Sequence, residues 1–147
     1  PKVAIFTKPD QVFEIGKAVT IYEGTDVSIF CTGHLVWKSI LAAQALAEKG
    51  ISAEVINIHT IKPLDDAAIL NSVRKTRCVV TAEEHMMNGG LGDSVCQLLA
   101  RNLPTPVEMV GVNDTFGESG TPDQLMAKYH LDTVDVVNAV ERVIKRK

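Results

Sequence analysis

The 147-residue sequence predicts an α/β fold. Three layers, α/β/α, enclose a mixed five-stranded sheet with four parallel strands and one antiparallel strand. Three observations lead there. Apolar, β-rich runs alternate with stretches of helical period. The links between them are short, so successive strands are joined by helical crossovers, parallel and right-handed. One run, Ala18–Tyr22, is parted from the next by only Glu23-Gly24-Thr25-Asp26. So short a turn favours antiparallel pairing of these two strands.

The elements follow in order. Residues 1–12 hold Pro1 and Pro9 and read as an N-terminal arm or linker; residues 13–147 read as the domain. After strands at 18–22 and 27–31, Val36–Lys49 has helical period and stops at Gly50, where a left-handed backbone is needed. Leu35, Val36, Trp37, Ile40, Leu41 and Leu46 spread around most of this helix. One sheet cannot cover them all, so another domain or subunit is expected on the far side. Ala53–Ile58 is a strand. Asp65 then N-caps a helix whose Ile69 and Val73 share a face. Cys78–Ala82 is a strand, and Leu91, Val95, Leu98 and Leu99 mark a helix. Val107–Val112 is the last strand. Thr121-Pro122-Asp123-Gln124 starts a helix with a capping box and Pro at N1. A final helix is expected over about Asp135–Lys145.

Composition narrows the function. Hydrophobic residues make up 46% and charged residues 22%, the balance of a globular protein rather than a disordered chain. Net charge is −3 and the basic run is confined to Lys145-Arg146-Lys147, so nucleic acid is not an expected partner. No apolar stretch approaches the roughly 20 residues a membrane span needs. The three cysteines form no Cys-x-x-Cys pair and read as buried thiols of a cytoplasmic protein.

Open α/β sheets gather ligands at the carboxyl ends of their strands. Here that edge carries Thr32, Gly33, His34, His59, Thr60, Glu83, Glu84, His85, Asn88, Asn113 and Asp114. Either these residues cap helices and touch a partner, or they form a ligand site. No His-x-x-x-His spacing supports a metal. The glycines of Asn88-Gly89-Gly90-Leu91-Gly92 open a helix, where backbone N–H groups can meet an anion. The alternative is a tight turn with close helix–strand packing. If the chain is still extended at Glu83 and Glu84, their side chains point to opposite faces. Glu118 lies in a second glycine-bearing loop.

Six segments together resemble one family: Phe13-Glu-Ile-Gly-Lys-Ala-Val19, Glu23-Gly-Thr-Asp26, Ile58-His-Thr-Ile-Lys-Pro-Leu-Asp65, Val80-Thr-Ala-Glu-Glu-His85, Gly89-Gly-Leu-Gly92 and Phe116-Gly-Glu-Ser-Gly-Thr-Pro122. Their order and spacing are similar to the C-terminal domain of transketolases, above all the form split over two polypeptides. Deoxyxylulose-phosphate synthase and the 2-oxoacid dehydrogenase E1 β-subunit share some of these features. The resemblance implies a domain of an enzyme that moves ketol units between sugar phosphates, with thiamin diphosphate and a divalent metal (Mg or Ca), assembled as a homodimer. In that family the cofactor lies between two other domains, one of which carries a Gly-Asp-Gly motif. The present sequence has no Gly-Asp-Gly. No catalytic, cofactor-binding or metal-binding residue is therefore expected in it. What is expected is an assembly domain that meets other domains or a subunit of the same enzyme. A regulatory ligand-binding module, or a docking domain for an acyltransferase core, are the competing readings.

Overall fold

The structure, a computed structural model, describes residues 5–147. The first four residues of the expected arm lie outside the described residues. Residues 5–17 contain neither helix nor strand. They are nonetheless held to the fold, for Phe6 packs on one core and the Phe13 ring meets His59 edge-on at 5.0 Å.

The elements are β1 (Val19–Tyr22), β2 (Val27–Cys31), α1 (Leu35–Glu48), β3 (Ala53–Asn57), α2 (Asp66–Thr76), β4 (Val79–Met86), α3 (Leu91–Asn102), β5 (Val107–Val112), α4 (Pro122–Lys128) and α5 (Thr133–Ile144). The sheet order is β1-β3-β2-β4-β5. β1 runs antiparallel to β3, and the other neighbours are parallel. The expected mixed five-stranded sheet is therefore present.

The partner of β1 is not the expected one. β3 lies between β1 and β2, and the reason is at Gly24. Thr25 and Asp26 donate their N–H groups to the Ser52 carbonyl at 3.1 and 2.8 Å, and Asp26 Oδ2 accepts from Ser52 N–H at 2.7 Å. The segment thus crosses the start of β3 instead of closing a hairpin. A Cβ on Gly24 would lie 2.3 Å from the Ala53 carbonyl carbon, so only glycine lets the two backbones pass.

Strand alternation sorts the core into two layers. Val27, Ile29 and Cys31 of β2, Val55 of β3 and Val80 and Ala82 of β4 face α1 and α5. Phe30, Ile56 and Val79 face α2 and α3. The apolar circumference of α1 has its second neighbour within this chain. α5 packs against it, Leu35, Val36, Ile40 and Leu46 are buried, and Trp37 and Leu41 are half-buried. The expectation that a partner domain covers this helix is corrected accordingly. Cys31 and Cys78 are buried, Cys96 is half-buried, and all three are free. Burial pushes the Cys31 thiol up to about 12, so it stays protonated.

Local chemistry explains the helix ends. Gly50 takes φ +76° and its N–H bonds the Ala47 carbonyl at 3.0 Å, closing α1. Asp65 Oδ1 accepts from Ala68 N–H at 3.1 Å, and its Oδ2 accepts from Ala18 N–H at 2.9 Å. One carboxylate therefore caps α2 and ties down the entry to β1. Gln124 reaches back to Thr121 N–H at 3.1 Å, as the capping box requires. α5 begins two residues before the expected Asp135. Asp132 is its N-cap, and Asp135 accepts from Asp132 N–H at 3.0 Å.

Under α2 lies a polar seam with no counterpart in the sequence reading. Glu54, 3% exposed, accepts from Ser72 Oγ and from Lys75 Nζ, the latter at 2.6 Å. Ser28 Oγ is 2.6 Å from both Ser72 Oγ and Thr76 Oγ1. Every member has a partner, which is the condition for holding a carboxylate inside an apolar layer. The bond to Glu54 raises the pKa of Lys75 above the usual lysine range.

Candidate functional site

The chain leaves β2 toward the α1 face and leaves β4 toward the α3 face. Adjacent parallel strands whose helices diverge leave a crevice at their carboxyl ends. A shallow hollow of about 360 Å³ lies there, lined by Thr32, Gly33 and His34 on one side, Glu83, Glu84, His85, Gly89 and Gly90 on the other, and Ile61. Glu118 lines a neighbouring hollow of about 350 Å³, which Glu84 shares. His59 and Asn88 line neither.

β4 continues to Met86, four residues beyond the expected end at Ala82, so Glu83 and Glu84 do point to opposite faces. Glu83 is 1% exposed. It accepts from Leu91 N–H at 2.7 Å and Gly92 N–H at 2.8 Å. Asp93 Oδ2 accepts from Gly89 N–H at 2.7 Å. The amino end of α3 therefore already holds an anion, supplied by the chain itself. A Cβ on Gly90 would fall 2.1 Å from Glu83 Oε2, so the glycine makes room for that carboxylate. The turn that packs helix against strand, the alternative in the sequence, accounts for Gly89 and Gly90.

Across the crevice, His34 at the N-cap of α1 places Nδ1 3.0 Å from Glu84 Oε2. Both side chains are about half exposed, so solvent screens the pair. His85 is exposed, with Nδ1 3.1 Å from the Met86 carbonyl. Glu118 pairs with Lys128 at 2.5 Å. His59 is half-buried; its Nδ1 meets Thr60 Oγ1 at 3.0 Å, its Nε2 is buried with no partner among the described residues, and Phe13 leans on the ring.

Among the described residues no group of three or more His, Cys, Asp or Glu side chains is placed to hold a metal ion. The one buried carboxylate at the crevice is committed to backbone N–H groups. This donor set does not fit a metal–diphosphate pair. What the edge offers instead is apolar surface. Phe116, beyond β5, is 98% exposed, and Ile15 on the arm is 82% exposed; Val12 and Ile61 are also exposed. The sequence singles out the Phe116–Pro122 loop as a surface for partner domains but not Val12, Ile15 or Ile61. The available signal was an apolar side chain inside a polar or glycine-bearing loop.

Residues 16–136 match the family described as transketolase, C-terminal domain. The chain belongs to this family. It is 46% identical, over 100% of its length and 45% of the relative's, to the 6-deoxy-6-sulfo-D-fructose transketolase subunit of Clostridium sp. (strain MSTE9). It is 41% identical to 1-deoxy-D-xylulose-5-phosphate synthase 1 of Geobacter sulfurreducens, over 90% of this chain and 21% of that one. Among solved structures, a split gene transketolase described as an inactive beta4 tetramer superposes with a TM-score of 0.94 at 43% identity, covering 97% of this chain and 47% of that one. This transketolase C-terminal domain chain spans about half the length of the subunit relatives it matches. None of its described helices is long and apolar enough to cross a membrane.

Proposed function

We propose that this chain is the C-terminal assembly part of a cytoplasmic transketolase that moves two-carbon ketol units between sugar phosphates in the pentose phosphate pathway. Thiamin diphosphate and its divalent metal, Mg or Ca, are held elsewhere in the complete enzyme. The strand-end edge, with Phe116, Ile61 and the arm, docks onto those other parts, and the complete enzyme is a homodimer. The supporting observation lies at the switch point where this fold offers a ligand site: Glu83 already occupies the α3 terminus, and Ile61 and Phe116 stand exposed in loops of the same edge. The 41% identity to a deoxyxylulose-phosphate synthase favours a second reading, in which the same docking serves that enzyme.

Docking is tested by co-purification with the remaining portion of a transketolase. Phe116→Asp and Ile15→Asp should leave thermal unfolding unchanged and reduce complex formation at least tenfold. Undiminished complex with both substitutions combined would refute the docking surface.

A further inference from the structure

A cavity lies at the opposite edge of the sheet, beside the amino ends of β4 and β5. It encloses about 690 Å³ and is lined by Val73, Arg74, Arg77, Leu103, Thr105 and Lys147, with Pro104 at its side. We infer that this cleft binds a phosphorylated small molecule.

Charge carries the inference. No Asp or Glu side chain lines the cleft, but three cations do. Lys38, Lys49, Lys75, Lys128, Arg142 and Arg146 all hold carboxylates within 4 Å. The cleft's cations hold none among the described residues, which is also true of Lys8, Lys17, Lys62, Arg101 and Lys145; what sets the cleft apart is that three such cations line one cavity. Arg74 Nη1 donates to the neutral amide oxygen of Asn71 at 2.9 Å, and Lys147 Nζ donates to the Asp26 carbonyl at 3.3 Å. Arg77 has no carboxylate partner among the described residues. The ends of α2 and α3 face this side of the sheet, and each contributes about half an elementary negative charge. Three full positive charges outweigh them, and an α-carboxylate on Lys147 would still leave the sum positive. Two guanidinium groups on one wall suit the forked recognition of phosphate oxygens. Leu103 and Pro104 give apolar surface for the rest of the ligand. The volume falls within the roughly 300–1,000 Å³ of small-molecule sites. A ligand here leaves the carboxyl edge of the sheet free, so the inference stands apart from the docking proposal.

The test is titration of the chain with inorganic phosphate, ADP and a pentose phosphate near physiological salt, followed by calorimetry and amide chemical shifts. Saturable binding of ADP or the pentose phosphate is expected, with shifts centred on residues 73–77 and 103–107. The two ligands distinguish a nucleotide site from a sugar-phosphate site. Arg77→Ala should weaken binding at least tenfold. Arg101→Ala, on α3 but outside the cleft, should leave it unchanged. The same spectra report that each variant is folded. Absence of saturable binding by all three probes, shifts confined to the strand-end edge, or full affinity in Arg74→Ala/Arg77→Ala would overturn the inference.

Discussion

Glu83 and Glu84 share a side-chain type and a peptide bond, yet their surroundings separate them. Glu83 is desolvated and bonded to two backbone N–H groups at a helix terminus, an arrangement in which a charged acceptor is worth more than a neutral one. Glu83→Gln keeps the volume and loses the charge, so it should cost about 1–3 kcal/mol in urea unfolding. Glu84→Gln removes only a screened contact with His34 and should stay within about 0.5 kcal/mol of the wild type. Equal effects of the two substitutions would contradict this division. The sequence makes the two side chains diverge only if the strand runs on through them, and its pattern ends that strand at Ala82. It could not say what Glu83 meets, because Leu91 and Gly92 become its partners only once α3 has folded back on β4. Glu54 was illegible for the same reason: Ser28 and Ser72, 44 residues apart, come together only through the fold.

At the scale of elements, strands and helices were readable where period and caps are local: Asp65, Gly50 and the Thr121–Gln124 box each stand where they were expected. The partner of β1 was not, since the close approach of Gly24 to β3 is made by residues about thirty positions apart. Gly24→Ala should therefore destabilise the chain by about 1–3 kcal/mol, because backbone on both sides must shift. Unfolding midpoints check this, and an unchanged midpoint would mean that the crossing is looser than described. The covering of α1 by α5 was equally hidden, and one contact between them titrates. Lys38 on α1 and the Thr133 N–H hold the Asp132 carboxyl below the usual carboxylate range. A depressed folded-state pKa stabilises the fold above the unfolded value, and that stabilisation is lost as pH falls through the folded one. Asp132 is 43% exposed, so the effect is under about 1 kcal/mol after solvent screening. Lys38→Met should lower stability near neutrality and flatten the acid limb of the pH–stability curve. An acid limb as steep as that of the wild type would assign the loss to other carboxylates.

For the whole molecule, the sheet and its helices close two cores, while the arm and the strand-end loops keep Ile15, Val12, Ile61 and Phe116 in solvent. Scattered exposed apolar residues are ordinary. Here several flank the edge where this fold class gathers its ligands, and the helix terminus there is taken by the chain's own carboxylate. That combination favours a surface made for another part of the enzyme over one made for a substrate. The most direct measurement is ketol transfer between sugar phosphates, with thiamin diphosphate and Mg supplied, by this chain alone and after mixing with the remaining portion of a transketolase. No turnover alone and restored turnover on mixing is the expected result. Steady turnover by the 147 residues alone would contradict it.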